Sequence, residues 1–216
     1  LIEKNGYVLN IQNRACDLKR PVNICCEYEI NVAKVPKTAY LVCETPEIFE
    51  ILINNEKINH IDCGYFSDIS FRKIDIAAYL LKGVNKITLN TRFTQSQALY
   101  DNLEKSKIFE SEKNKLTYDM EIEPIYIVGD FSVSTDGSFE QLDKDAVRYK
   151  GNFVIDRTPN EVELSNIEQQ GYPFFVGSIS FTKVFDLAHT NYKLSFHKKG
   201  VNVIKVKVNG SETDTI

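Results

Sequence analysis

Ile48-Phe49-Glu50-Ile51-Leu52-Ile53-Asn54-Asn55 is a short apolar run that stops on a turn, and the same pattern returns as Val203-Ile204-Lys205-Val206-Lys207-Val208-Asn209-Gly210. Each run has the length and the branched side chains of a β-strand, and each ends in a dipeptide that tolerates positive φ, the mark of a hairpin. The correspondence extends upstream. Glu29 to Asn55 aligns without a gap on Val184 to Gly210, a shift of 155 residues, which sets Val32 on Leu187, Ala39 on Leu194 and Leu41 on Phe196. Few letters are identical, so what repeats is pattern. The period is too long for a solenoid, whose units recur every few tens of residues. It suggests two copies of a β-sandwich module. The chain stops soon after the second turn, so the second copy is expected to lack its second half and the chain to be a piece of a larger protein.

Strand signals fill the rest of the sequence. Gly6 to Gln12, Asn23 to Val32, Thr38 to Cys43, Ser70 to Asp75, Lys86 to Thr91 and Ile125 to Val133 are short, rich in branched and aromatic residues, and bounded by turn formers. Phe153 to Ile155, Glu161 to Leu164, Ser178 to Asp186, Tyr192 to Phe196 and Val201 to Val208 continue the series. Many short strands at even spacing predict an all-β sandwich. One segment differs: Gln95 to about Leu116 is polar, with Leu99, Leu103 and Ile108 or Phe109 at helical spacing, and reads as an inserted surface helix. A helical turn is expected before Gly83, with Ile76, Tyr79 and Leu80 on one face and Asp75 as its cap. The boundary between the two modules is expected near 165, giving domains 1–165 and 166–216.

Composition narrows the function. The 216 residues are 43% hydrophobic and 26% charged, which suits a globular chain and argues against disorder. Net charge is −4 with lysine and arginine scattered, so no basic stripe offers itself to nucleic acid. Apolar runs fall well short of the ~20 residues of a membrane helix, and no membrane partner is expected. The five cysteines (Cys16, Cys25, Cys26, Cys43, Cys63) are odd in number and lack zinc spacing, so they are expected as buried free thiols in a reducing, cytoplasmic setting. The chain begins at Leu1 without a methionine, which leaves room for a removed leader or an upstream domain. Asn209-Gly210-Ser211 has the form of a glycosylation triplet but reads as the hairpin turn.

Several motifs together resemble a known family. They are Phe49-Glu50-Ile51-Leu52-Ile53-Asn54-Asn55, Gly64-Tyr65-Phe66-Ser67-Asp68, Ile74-Asp75-Ile76 and the run Tyr79-Leu80-Leu81-Lys82-Gly83-Val84-Asn85-Lys86-Ile87. Glu123-Pro124-Ile125-Tyr126-Ile127-Val128-Gly129-Asp130-Phe131 and Gln170-Gly171-Tyr172-Pro173-Phe174-Phe175-Val176-Gly177 follow. These resemble the jelly-roll, galactose-binding-like domains of bacterial glycoside hydrolases, both those of family 2 and the paired sandwiches of α-L-rhamnosidase-like enzymes. Asn55 departs from the Asn-Gly usual there. The resemblance spans roughly residues 20 to 210. It implies a jelly-roll sandwich followed by the start of a second, incomplete sandwich, with the catalytic carboxylates in a separate barrel of the same polypeptide. Each motif also has a plain folding role in turn or cap, so the resemblance speaks to fold more than to function.

Sugar recognition needs an exposed aromatic face ringed by polar groups, and Tyr65, Phe66 and Asp68 offer one in a polar loop. Tyr172, Phe174 and Phe175 form a second aromatic cluster, which equally suits packing. Tryptophan, the strongest stacking platform, is absent. Glu121 and Glu123, two apart on an expected strand and followed by Asp130, could be proposed as a glycosidase pair. A solvated strand edge and a loop-anchoring carboxylate explain them more simply. His60, His189 and His197 are isolated, and no metal spacing exists, although Asp62 and Asp68 could contribute oxygens to a calcium. No cofactor is expected. Asp101 to Lys115 reads as a solvated charged face. The sequence therefore predicts a non-catalytic, carbohydrate-binding accessory sandwich; a purely structural interdomain scaffold is the alternative, and a small autonomous hydrolase is the remote third.

Overall fold

The computed structural model describes residues 7–164, 166–186, 188, 193–195 and 203–215, and the chain divides into two units, Leu1–Thr158 and Pro159–Ile216. The first unit opens with helix α1 (Val8–Asp17) and continues through β1 (Val22–Val32), β2 (Ala39–Glu44), β3 (Glu50–Ile53), β4 (Glu56–Lys57), β5 (Asp62–Phe66), β6 (Asp68–Asp75) and β7 (Gly83–Phe93). Helix α2 (Gln97–Ile108) follows, and then β8 (Tyr126–Gly129), β9 (Ser132–Thr135), β10 (Ser138–Gln141), β11 (Val147–Lys150) and β12 (Phe153–Asp156). Strands dominate, as the sequence predicts.

β1 and β7 form the long antiparallel pair, in register from Val22 opposite Phe93 to Val32 opposite Gly83. Alternation along β1 turns Cys26 inward and Cys25 out to solvent, because successive side chains of a strand face opposite ways. The expectation of buried thiols is corrected there: Cys16, Cys26 and Cys43 are buried, Cys25 is exposed and Cys63 half-buried, and none of the five is in a disulfide. The two strands centre a six-stranded sheet of order β4-β3-β7-β1-β12-β9, and a second sheet has the order β5-β6-β2-β8. Cys26, Ile51, Ile53, Ile87, Leu89 and Phe93 from the first sheet share one core with Ala39, Leu41, Cys43 and Ile74 from the second. Two sheets enclosing one apolar layer make a sandwich-like fold.

The predicted strand Ile125 to Val133 is two strands. β8 pairs with β2 in the four-stranded sheet, whereas β9 pairs with β12 in the six-stranded sheet. The chain changes sheets at Gly129-Asp130. A Cβ on Gly129 would collide with the Thr38 carbonyl oxygen, and Asp130 accepts the Thr38 backbone N–H at 2.7 Å. The glycine is there for close approach rather than for an ordinary turn.

Gly6 to Gln12 is a second correction, since residues 8–17 are helical. Val8, Leu9 and Ile11 supply a β-like local signal, but Gln12, Ala15 and Cys16 lie on one helical face and are buried. Gln12 Oε1 accepts the buried N–H of Ile122 at 2.7 Å, a long-range bond that local propensity does not reveal. The helix expected between Gln95 and Leu116 is present as α2 followed by a 3-10 segment, Glu110–Lys115. Ser96 caps it, accepting Leu99 N–H at 3.3 Å. Its charged face carries ion pairs from Glu104 to Lys19 and Lys107 and from Glu112 to Lys115.

The Asn54-Asn55 turn has φ of 53° and 68°, so asparagine meets the positive-φ demand that glycine usually meets in such a hairpin. Ala77–Tyr79 is a 3-10 turn with Asp75 Oδ1 accepting Ala77 N–H at 2.9 Å. Gly83, at φ 103°, lies beyond this turn and opens β7. Asn85, fully buried, donates to the Leu81 and Gly83 carbonyls and accepts from Leu81 N–H and Asn54 Nδ2.

In the unit Pro159–Ile216, β13 (Lys205–Val208) and β14 (Ser211–Thr215) form a hairpin across Asn209-Gly210, both at positive φ. Residues 161–164 and 178–186 are not strands, against the sequence expectation. Their apolar alternation finds no ladder partner among the described residues, and pattern without a partner does not make a strand. Of the expected strand Tyr192 to Phe196 only 193–195 are described, again outside strand, and positions 201 and 202 of the last expected strand lie outside the described residues, as do Leu187 and Phe196 of the repeat.

Candidate functional site

β5 and β6 form a hairpin turned by Ser67 at φ 64°. Tyr65, Phe66 and Asp68 sit on its strand ends rather than in a loop, with Tyr65 55% and Phe66 46% exposed. Asp68 Oδ1 accepts the N–H and hydroxyl of Ser70 at 2.9 and 2.8 Å. Those bonds hold its carboxyl below the usual aspartate range and commit one oxygen to the hairpin itself.

Register places Tyr65 opposite Arg72, so the two side chains share a face of the hairpin. Arg72 is ion-paired with Asp62, whose Oδ1 also accepts Gly64 N–H at 2.9 Å. Beside this pair lies an open cleft of about 200 Å³ walled by Pro46, Glu47, His60, Asp62, Arg72 and Lys73. Arg72 and Glu47 are the residues that sequence reasoning missed, and His60, weighed there only as an isolated histidine, joins them in the cleft wall. They are far apart in the chain, and the available signal was the hairpin register that sets Arg72 across from Tyr65. Lys73 keeps its ammonium 5.0 Å from the centre of the Tyr40 ring.

The opposite face of the same sheet carries Phe71 and Tyr126, stacked edge to face at 5.8 Å, with Val42 fully buried next to them in register. A further cleft of about 180 Å³ lies between α1 and α2, where the buried Tyr100 hydroxyl has no hydrogen-bond partner among the described residues. Ion pairs of Lys107 with Asp17 and Glu104 stand at its rim.

The remaining candidates build no second site. Glu121 and Glu123 lie outside any strand, exposed on either side of buried Ile122, and neither lines either of these clefts. Burial and repulsion from Glu44 and Glu121 raise the Glu123 carboxyl. Asp130 is bound to Thr38 N–H, which lowers it, and so acts as the loop anchor. Asp62 and Asp68 each bond their own turns, and no group of three or more potential metal-ligating side chains occurs among the described residues. His189 and His197 lie outside the described residues. Tyr172 is half-buried and Phe174 and Phe175 are exposed, within the second unit. No helix among the described residues is long and apolar enough to cross a membrane. Comparison with protein-family models, with curated proteins and with solved structures gave no match.

Proposed function

We propose that this chain is a non-catalytic carbohydrate-binding accessory module of a glycoside-hydrolase-like protein, built on a jelly-roll sandwich with a second, partial sandwich after it. The observation that carries the reading is the cleft walled by the Asp62–Arg72 pair, on the same β5–β6 hairpin that carries exposed Tyr65, opposite Arg72 in register, and exposed Phe66. An aromatic ring can cover the apolar face of a pyranose while fixed donors and acceptors meet its hydroxyls. At about 200 Å³ the cleft is smaller than the ~300–1,000 Å³ of pockets for drug-sized ligands, which suits a single sugar ring. Glu121 and Glu123 are exposed and line neither cleft, so the reading assigns them no part in bond cleavage.

A glycan-array screen of the chain, repeated with Tyr65→Ala and Phe66→Ala, tests this. Binding that falls at least tenfold in either variant is the expected result. A second reading, an interdomain scaffold, draws support from Ile61 and Ile69, exposed by 68% and 70% on and beside the same hairpin. A blank array from folded protein would favour the scaffold.

A further inference from the structure

We infer that the Asp62–Arg72 cleft selects a neutral sugar presenting a vicinal diol and discriminates against acidic sugars; this rests on the carbohydrate reading above. The cleft wall holds two carboxylates, Glu47 and Asp62, and two cations, Arg72 and Lys73. Only Arg72 is charge-compensated in the wall, and strand alternation turns the Lys73 side chain to the face opposite Arg72. Arg72 is paired with Asp62, and Lys73 sits over the Tyr40 ring. A uronate carboxylate entering beside Arg72 would give up hydration to meet a guanidinium whose charge Asp62 already balances, and Glu47 would repel it.

A diol meets the opposite situation. The guanidinium is a rigid fork of donors and the carboxylate an acceptor, and the ion pair fixes them side by side. Two adjacent sugar hydroxyls, each a donor and an acceptor, can bond both at once without breaking the pair. Tyr65, across from Arg72 in the hairpin, would bound the apolar face of the ring. Asp62 is thus the residue that sets charge selectivity: it supplies an acceptor and neutralises Arg72.

The test is an NMR titration of the intact chain with methyl glycosides of glucose, galactose and mannose and with methyl glucuronide and methyl galacturonide. The same titration is run on Asp62→Asn and Arg72→Lys. At least one neutral glycoside should shift amides of β5 and β6, with matched uronides at least tenfold weaker. Asp62→Asn should weaken the neutral sugar about fivefold and narrow or reverse the preference against the uronide. Arg72→Lys, which keeps the charge but loses the fork, should weaken neutral sugars without improving uronides. A wild-type chain that binds uronides as well as neutral sugars overturns this assignment while leaving carbohydrate binding in place, as does Asp62→Asn with an unchanged ratio. No shift with any sugar, in protein whose spectrum is folded, overturns both.

Discussion

Asn85 shows how one buried amide can organise a module. Both of its amide hydrogens and its oxygen are used, and through Asn54 the network reaches the Tyr79 carbonyl and Lys86 N–H. Hairpin, 3-10 turn and β7 are thereby tied at one point. Replacement by alanine would leave several buried backbone groups unpaired, at roughly 1–3 kcal/mol for each group that water cannot reach. Asn85→Ala should lower the unfolding free energy by about 3 kcal/mol in urea titration. A loss below about 0.5 kcal/mol would show that the network is replaced by water or by local rearrangement. The residues of this network were visible in the sequence as turn formers, so its folding role was legible there.

Elements were legible where pattern and partner coincide. β1 and β7 are long and alternating, and each supplies the other's hydrogen bonds along its full length. Helix α1 was not legible. Its first residues favour a strand, its inward face includes a polar glutamine, and its fixing bond joins residue 12 to residue 122. The candidate site was half legible: Tyr65 and Phe66 on the hairpin stand out by type, but Arg72, which walls the cleft, enters only through hairpin register. The α1 contact can be tested directly. Gln12→Met keeps the length and bulk of the side chain but removes the acceptor, leaving Ile122 N–H buried and unpaired. The variant should lose about 1–3 kcal/mol of stability, with faster hydrogen exchange at Ile122 and along α1. Unchanged exchange at Ile122 would mean that the bond does not hold the helix.

For the whole molecule, the repeat correctly located both asparagine-led hairpins but overstated the strands around the second, because spacing records where strands can lie and not whether a partner is at hand. The core between the two sheets leaves a signature in alkaline pH. Burial is the main cause that pushes the Cys43 thiol from about 9 up to about 12, with Glu44, Glu47 and Cys26 adding to it; the Tyr28 hydroxyl moves from about 10 to about 12, again chiefly by burial. Between the ordinary and the shifted value the folded chain keeps a proton that the unfolded chain has lost. Stability is therefore fully present below about pH 9 and declines as pH rises toward 12, by up to about 1.4 kcal/mol per pH unit for each such group. Cys43→Ala is expected to be less stable at pH 7, since it opens a small cavity in the core. It should also lose less stability than the parent chain between pH 9 and 11. Urea midpoints measured at half-unit steps separate the two effects, because the cavity lowers the whole curve whereas the thiol changes only its slope. Parallel curves for parent and variant would show that the Cys43 thiol ionises as readily in the folded chain as in the unfolded one, and that the layer between the sheets admits water at that point.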